Sequence, residues 1–462
     1  MWMFLVIVTT LLSLVCAERP FFDIRVGYVS LPSPDSGAQA LLPPSRFDAP
    51  DISDLVTRIV VVHFERYDQW ASMRENATTR KKYVEKFSRC TLIQKDINAP
   101  NGKPLTEDRR KLNLPLSVHL NLGAMFVKEL LHDQPMSAME FATEMKKFLR
   151  DVCYQGVHVE LPYYSKMKSM DSTEYAKDMF IHDEPNSVVV FLDRLKDLAK
   201  FITQIPIQKM TRKLTLSKGI TSEPEPIKGS EREVSLRVFE PDLLEEFYSK
   251  KENIYNELVK YTSFVATEGV GNLPKDEKEY ANKMKTFQND LYAPSLNYNV
   301  RENIGRIEKV LYGKSIVLIA STRVQRFKRL SALEPVLHIV DGTENKTEEF
   351  LLQPMPFALR IGTTLEEINI HYWSICQAET SAEAGDTLID SLYKSVRIMN
   401  SKVYVFDSIT ERIALAKKLK LSGMGVDSFS NDDLFLLCVE RLDSRVSSSP
   451  ALWMKYIRDQ YK

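Results

Sequence analysis

Short, strongly apolar runs separated by helical patterns are the feature that most constrains the fold of this chain. Residues 58–64 are Arg-Ile-Val-Val-Val-His-Phe, a nearly continuous β-branched run. Such a run is typical of a strand that is buried on both faces, as strands of a parallel sheet are. Residues 138–150 carry apolar side chains at helical spacing, which predicts an amphipathic helix. The alternation of the two patterns predicts an α/β fold with a parallel sheet.

The alternation recurs along the whole chain, and eight strand–helix units predict a (β/α)8 TIM barrel. The predicted strands are residues 23–30, 58–64, 115–123, 156–161, 212–217, 262–267, 315–320 and 423–429. The predicted helices are residues 138–150, 187–203, 254–261, 304–312 and 409–419. An open doubly wound sheet is the alternative, but no glycine-rich phosphate loop follows the first strand to support it.

Two segments interrupt this alternation. Residues 218–242 are rich in Glu, Pro, Lys and Ser, which predicts a surface insertion or flexible loop. Residues 328–399 are too many for one connection, so we expect a small α+β insertion domain between strands seven and eight. The barrel with this insertion is expected to occupy residues 18–462.

The charge balance excludes some partners. Lys and Arg together number 62, as do Asp and Glu, so the formal net charge is zero. A neutral chain has no long-range attraction to nucleic acid or anionic lipid, and we expect no nucleic-acid partner. The 44% hydrophobic and 27% charged residues describe a packed globular protein.

The first 17 residues have the pattern of a secretory signal peptide. An apolar run over residues 2–15 is followed by the small residue Ala17 at the expected cleavage position. The run is shorter than the roughly 20 apolar residues of a membrane span, and no later segment is apolar for that length. We therefore expect a secreted protein without a membrane span, with an uncleaved anchor as the alternative.

Other residues fit a secretory route. Asn76 and Asn345 each begin an N-glycosylation sequon. Four cysteines remain after residue 17, and an even number in an oxidising compartment suggests disulfide bonds. These four are Cys90, Cys153, Cys376 and Cys438. A metal site would want CxxC or HxxxH spacing, and neither is present, so no metal or cofactor is predicted.

Residues 154–163, Tyr-Gln-Gly-Val-His-Val-Glu-Leu-Pro-Tyr, resemble the fourth barrel strand of family 18 glycoside hydrolases, the chitinases. The pattern of that strand is D-G-x-D-x-D-x-E, and Gly156 matches its glycine. Its three aspartates and its proton-donating glutamate are replaced, in order, by Gln155, His158, Glu160 and Pro162. Because proline has no proton to give, the resemblance implies a chitinase fold without the chitinase reaction.

Further matches to the family follow in the same order along the chain. Residues 26–28 match the family's opening V-G-Y, 121–124 its S-x-G-G, and 314–327 its seventh strand. Residues 371–377 match its Y-x-E-I-C-Q, and 423–433 its closing pattern G-x-M-x-W-S-x-D-x-D-D. The resemblance thus covers almost all of the chain after residue 17. It implies a disulfide bond between Cys376 and Cys438. Cys90 and Cys153 fit no family pair, so they either bond each other or remain buried thiols.

The resemblance also implies where a ligand would bind. Glu268 stands at the start of the family's M-x-Y-D, Arg323 replaces a tyrosine after strand seven, and Asp427 replaces the tryptophan floor of the central subsite. Together with Glu160 they place charges at the barrel mouth. These charges suggest a ligand other than neutral chitin, or a cleft without a ligand. An equally weighted alternative is that they are solvated rim residues bridged by an ion pair. For Glu160 and His158 we expect a buried hydrogen-bonded pair, with Glu160 at the rim in a shifted register as the alternative.

Three functions follow. The resemblance favours a secreted, catalytically inactive chitinase-like protein that binds a carbohydrate or protein ligand. One alternative is an active glycoside hydrolase that acts on a non-chitin glycan with a relocated acid, Glu268 or Asp427. The other is a non-catalytic protein-interaction scaffold.

Overall fold

The computed structural model describes residues 24–30, 55–81, 117–133, 138–152, 154–165, 180–182, 186–205, 232–239, 241–269, 300–311, 313–329, 363–371, 387–390, 395–399, 402–406, 409–427 and 452–459. The predicted signal peptide and the sequon at Asn345 lie outside these residues. So do the four cysteines, and with them the disulfide bond expected between Cys376 and Cys438.

Eight parallel strands form a closed barrel in which neighbours in the ring follow chain order. The strands are β1 (Ile24–Ser30), β2 (Arg58–Phe64), β3 (Ser117–Leu122), β4 (Gly156–Glu160), β7 (Glu233–Val238), β8 (Phe264–Thr267), β9 (Ser315–Ser321) and β15 (Gly423–Asp427). The ring closes where β15 pairs with β1, with Tyr28 opposite Asp427. The predicted (β/α)8 barrel is confirmed.

Helices alternate with the barrel strands, as the periodicity predicted. They are Tyr67–Glu75, Ala124–Lys128 with a π-helical continuation Glu129–Asp133, Ala138–Val152, Ser187–Thr203, Asp242–Tyr261, Val300–Leu311, Ile409–Lys418 and Leu452–Asp459. Their apolar faces pack against the outside of the barrel in one large buried cluster. In Ser187–Thr203, for example, Phe191, Leu195 and Ile202 are fully buried.

A smaller apolar cluster fills the inside of the barrel. Its members are Ile24, Val26, Tyr28, Val60, Phe264, Ala266, Val317 and Ile319. Because alternate residues of a strand point to opposite faces, each strand contributes side chains to both clusters. In β1, Val26 and Tyr28 belong to the inner cluster, whereas Val29 belongs to the outer one. The interior of the barrel is therefore packed, with its polar residues confined to a few inward positions.

The fifth barrel strand corrects the sequence interpretation. Residues 218–242 were expected to form a surface insertion or flexible loop, but β7 lies within that range and pairs with β4 and β8. The inward residues of β7 are polar, whereas the outward Val234, Leu236 and Val238 are buried against the helices. A strand with a polar inner face does not give the continuous apolar run that marked the other strands. The strand predicted at 212–217 lies outside the described residues.

A five-stranded antiparallel sheet lies between β9 and β15 in the chain. Its order is β11 (Thr363–His371), β10 (Arg323–Arg329), β14 (Lys402–Phe406), β13 (Ser395–Met399) and β12 (Thr387–Asp390). It extends beyond the bounds 328–399 predicted for the insertion at both ends. Arg323 is the first residue of β10, where it pairs with His371.

Two short strands, β5 (Tyr163–Ser165) and β6 (Phe180–His182), form a separate parallel pair. Only Leu161 and Pro162 separate the start of β5 from the end of β4. Among the described helices, none combines the length and the apolar composition that a bilayer crossing requires.

Candidate functional site

Four charged residues meet at the carboxyl ends of the barrel strands, the end at which barrels of this kind carry their sites. Glu160 ends β4, Arg237 lies near the end of β7, Glu268 follows β8 and Asp427 ends β15. We call these four residues the mouth cluster. Three of them were predicted as ligand-binding candidates, whereas Arg237 was missed.

Arg237 joins the three carboxylates of the mouth cluster. Its Nη1 donates to Oε1 of Glu160 at 3.2 Å, and its Nη2 donates to Oδ2 of Asp427 at 2.7 Å. The same Nη2 donates to Oε1 of Glu268 at 2.5 Å. One guanidinium therefore links side chains from four positions around the ring, which places it close to the barrel axis.

Aromatic rings cover the Arg237 guanidinium. Its central carbon lies 5.0 Å from the ring centre of Tyr28 on β1 and 5.2 Å from that of Phe239. Cations are attracted to the faces of such rings, and the attraction strengthens where water is excluded. Arg237 and Asp427 are buried, so they form a floor beneath the mouth rather than a solvated rim.

The charges within the mouth cluster do not balance, since three carboxylates face one guanidinium. Burial would lower the pKa of Arg237, but Asp427, Glu160 and Glu268 raise it well above its ordinary value, so it is a permanent cation. Burial raises the pKa of Glu160, and Arg237 and the hydrogen bond from Asn121 offset only part of that rise. Glu160 thus keeps its proton to a higher pH than an exposed glutamate.

Asn121 on β3 holds Glu160 from the other side. Its Nδ2 donates to Oε1 of Glu160 at 3.0 Å. This bond fixes the orientation of the amide, because a carboxylate oxygen needs a donor. Asn121 is 1% exposed, and its Oδ1 accepts no hydrogen bond from the described part of the chain. A buried acceptor at the edge of the mouth cluster is therefore left without a donor.

His158, one layer deeper in the barrel, is bonded to residues other than Glu160. Its Nε2 lies 3.2 Å from the hydroxyl of Tyr28, and its Nδ1 lies 2.7 Å from Oγ of Ser235. Burial lowers the pKa of His158 well below 6.5, with His119 and Arg237 adding to the effect, so the ring is neutral. The prediction that His158 and Glu160 form a hydrogen-bonded pair is therefore wrong. Glu160 lies at the rim, as the alternative had it.

A second polar group lies at the opposite end of the barrel. Arg58 donates to Glu233 through Nε at 2.9 Å and Nη2 at 2.8 Å. Nε2 of His119 lies 3.0 Å from Oε2 of Glu233, and its Nδ1 lies 3.4 Å from Oγ of Ser235. Burial alone would raise the pKa of Glu233, but hydrogen bonds from His119 and Arg58 lower it to about 2. Polar contacts therefore run through the barrel from Arg58 to Tyr28, below Arg237.

The remaining positions of the fourth-strand pattern have structural roles. Oε1 of Gln155 accepts the main-chain N–H of Val118 at 2.8 Å, which ties β4 to β3. Gly156 is required by close approach, since a Cβ there would lie 2.7 Å from the carbonyl oxygen of Glu233. Pro162 is buried and follows β4 rather than ending it. It lies two residues beyond Glu160 and offers no titratable group.

The other predicted residues are placed elsewhere. The main chain of Arg323 lies in β10, and its side chain is outside the described part of the structure. Asn76 is exposed, and its Oδ1 accepts hydrogen bonds from the main-chain N–H groups of Thr78 and Thr79 at 2.9 and 3.2 Å.

Across the described ranges, no three His, Cys, Asp or Glu side chains are grouped so as to hold a metal ion.

No protein-family model and no curated protein matches the sequence. Solved structures match over nearly the whole chain. An immunomodulatory active chitinase from Trichuris suis aligns at 13% identity over 94% of this chain and 99% of its own, with a TM-score of 0.53. Human YKL-39, described as a pseudo-chitinase with retained chitooligosaccharide binding, aligns at 13% identity over 95% and 99%, with a TM-score of 0.51.

A Group IV chitinase from Ostrinia furnacalis aligns at 12% identity over 95% of this chain and 99% of its own, with a TM-score of 0.51. At identities this low, the likeness establishes the fold and not the activity. The protein therefore has the barrel fold of family 18 chitinases and chitinase-like proteins.

Proposed function

We propose that this chain is a secreted chitinase-like protein that binds a glycan at the barrel mouth without hydrolysing it. One observation carries the proposal: Pro162 occupies the position of the family's proton donor, and the nearest carboxylate on that strand, Glu160, is held by Arg237 and Asn121. The mouth is thus built to hold charge in place rather than to transfer a proton.

A general acid must carry a proton and reach the glycosidic oxygen. Glu160 accepts hydrogen bonds from Asn121 and Arg237 through the same oxygen, and these bonds hold its carboxyl group in place between β3 and β7. It also lies two residues before Pro162, which follows the end of β4. Loss of a positioned acid removes a contribution of about 10²–10⁴-fold to the rate.

The similar structures support binding without hydrolysis. Human YKL-39 is described as a pseudo-chitinase that retains chitooligosaccharide binding, so one protein of this fold binds a sugar chain without the chitinase reaction. The Trichuris suis protein is described as an active chitinase, so the fold alone does not decide activity. For the present chain, the residues at the mouth are the ground for proposing binding without hydrolysis.

Trp70, the one tryptophan whose side chain the structure describes, is not a stacking platform for a sugar at the mouth. Trp70 is buried between the barrel and the helices, where its ring lies 5.1 Å from that of Phe141 and 5.3 Å from that of Phe64. It therefore belongs to the core and not to the mouth. Recognition at the mouth would rest on the charged and amide groups of the mouth cluster and Asn121.

Secretion is part of the proposal. It rests on the apolar run at residues 2–15, the small residue Ala17 and the sequons. Asn76 is exposed, as a glycan acceptor must be. Expression in a eukaryotic secretory host tests this directly. Mass spectrometry of the medium should find a chain that begins at residue 18 and loses mass on enzymatic deglycosylation.

The experiment for the function uses the purified protein on a glycan array and on a chito-oligosaccharide hydrolysis reporter. We expect array binding without turnover. Glu160→Gln is the matched variant, because it keeps the shape of the side chain and removes its proton. Turnover that disappears in Glu160→Gln would overturn the proposal, and an array without any bound glycan would overturn the binding half.

A second function is favoured by the raised pKa of Glu160. Because burial raises that pKa, a protonated Glu160 would be the available acid for hydrolysis of a different glycan. A screen of diverse polysaccharides as a function of pH tests it. Activity that falls as the pH rises through the pKa of Glu160, and that is absent from Glu160→Gln, would establish this function instead.

A further inference from the structure

The mouth cluster carries an excess of negative charge at a place where water is partly excluded. Glu160 and Glu268 share one guanidinium, that of Arg237, which Asp427 also contacts. Arg412 lies nearby, and its Nη1 donates to the main-chain oxygens of Glu268 at 2.8 Å and Ile319 at 3.0 Å. Burial of an uncompensated charge costs free energy unless another cation approaches.

Two buried polar atoms at the cluster also have no partner among the described residues. Oδ1 of Asn121 accepts no hydrogen bond, and Nε of Arg237 donates none. Both side chains are more than nine-tenths buried, and both are bonded to Glu160, so both atoms lie at the mouth cluster. A ligand that satisfies them must offer an N–H or O–H donor and an oxygen acceptor together.

Solvent reaches some side chains of the cluster more than others. The side chain of Glu268 is 28% exposed and that of Glu160 is 15% exposed, whereas Asp427 and Arg237 are more deeply buried. The accessible groups are therefore carboxylates, and the only guanidinium of the cluster is beneath them. Among the described side chains of the cluster, those that a ligand from solvent meets first are carboxylates.

We propose that the mouth cluster binds an amino sugar through its free ammonium group, and so prefers glucosamine oligomers to neutral N-acetylglucosamine oligomers. The proposal rests on the glycan-binding function proposed above and names its ligand class. An ammonium group has three donors and no acceptor, which suits Glu268, Glu160 and Oδ1 of Asn121. The neighbouring sugar hydroxyls supply an acceptor for Nε of Arg237.

A bare metal ion fits the same cluster less well. Arg237 lies among the carboxylates and occupies an oxygen of each, which leaves few of them free for metal coordination. A metal ion also has no acceptor to offer Nε of Arg237. A sugar that carries both an amine and hydroxyl groups meets both requirements.

The test is isothermal titration calorimetry of the purified protein with a glucosamine oligomer and with the N-acetylglucosamine oligomer of the same length. At about pH 6, below the pKa of an ordinary amine, the first ligand is cationic. We expect it to bind at least about tenfold more tightly, a difference of about 1.4 kcal/mol. Salt should weaken it more than the neutral oligomer, since the Debye length falls from about 10 Å at 0.1 M to about 3 Å at 1 M.

Glu268→Gln is the site variant, because the partly exposed side chain tolerates the change and loses one charge. Glu257→Gln is its control, an exposed glutamate on helix Asp242–Tyr261. We expect only Glu268→Gln to reduce the preference for the cationic oligomer, with equal melting temperatures. If the two variants behave alike, the assigned site is wrong.

The outcomes separate this inference from the function on which it rests. Equal affinity for both oligomers, or tighter binding of the N-acetylated one, overturns the ligand class and leaves the glycan-binding function intact. Failure of both oligomers and of the array overturns both. A preference for the glucosamine oligomer that Glu268→Gln removes supports both.

Discussion

Nη2 of Arg237 and Oδ2 of Asp427 lie 2.7 Å apart at the centre of the barrel mouth, although 190 residues separate them in the sequence. Arg237 comes from β7 and Asp427 from β15, and two strands, β8 and β9, lie between them in the ring. The contact therefore crosses the barrel rather than following a strand pair. It makes the mouth depend on the correct closure of the whole ring.

Removal of Arg237 should destabilise the protein strongly. Arg237→Met would leave Glu160 and Asp427 buried without their cation, which costs about 3–5 kcal/mol for a broken buried pair. Arg306→Met is the control, because Arg306 pairs with Asp242 and Glu245 at a partly exposed site, and should cost about 1 kcal/mol or less. Urea denaturation of both variants gives the free energies of unfolding, and equal losses would contradict the role of Arg237.

Stability should fall when the pH drops below about 6.5, because His158 is buried in its neutral form. The folded state lowers the pKa of His158, so the unfolded chain binds the proton more readily. The contribution is fully present above the unfolded pKa and is lost as the pH falls towards the folded one, by up to about 1.4 kcal/mol per pH unit. Other charged or titratable groups that act on the ring are Tyr28, His119 and Arg237.

His158→Gln tests this dependence. The glutamine amide accepts from Tyr28 and donates to Ser235, so the two hydrogen bonds are kept and the titration is removed. Unfolding free energies between about pH 5 and pH 7 should then vary less with pH than in the parent protein. A parent slope that persists unchanged in the variant would show that another group is responsible.

A second loss of stability is expected at lower pH from Glu233. Burial alone would raise the pKa of Glu233, but hydrogen bonds from His119 and Arg58 lower it from its ordinary 4.5 to about 2 in the folded state. Its contribution is therefore present above pH 4.5 and is lost as the pH falls towards 2. The full effect is on the order of 3 kcal/mol, reduced by partial exposure. Glu233→Gln should flatten acid unfolding in that range, as followed by circular dichroism, whereas Glu257→Gln should not.

The space around two glycines predicts opposite effects of the same substitution. Gly156→Ala would place a Cβ 2.7 Å from the carbonyl oxygen of Glu233 and 2.8 Å from Cε1 of His119, and should cost about 1–3 kcal/mol. Gly305→Ala lies within helix Val300–Leu311 with nothing inside 4 Å, and should stabilise the protein by about 0.5–1 kcal/mol. Thermal unfolding of the two variants decides the matter by the sign of the change in melting temperature.

The periodicity of the sequence predicted seven of the eight barrel strands and missed the fifth. Strands such as Arg58–Phe64 were found because burial on both faces requires an apolar run. β7 was missed because Glu233, Ser235 and Arg237 alternate with its apolar residues and resemble the polar segment before them. The alternation of polar and apolar residues in β7, with a period of two, was the signal that could have identified it as a strand. It identifies a strand but does not say that its polar face points into a barrel.

The sequence alone sets the alternation of strands and helices, and with it the barrel, because the spacing of apolar side chains along each segment fixes which face can be buried. It also determined the absence of a proton donor at Pro162, since no folding gives proline an acidic group. The shared contact of Glu160, Glu268 and Asp427 with Arg237 exists only in the folded barrel, because ring closure brings together residues that no local pattern connects. The chemistry of the mouth therefore follows from closure of the ring.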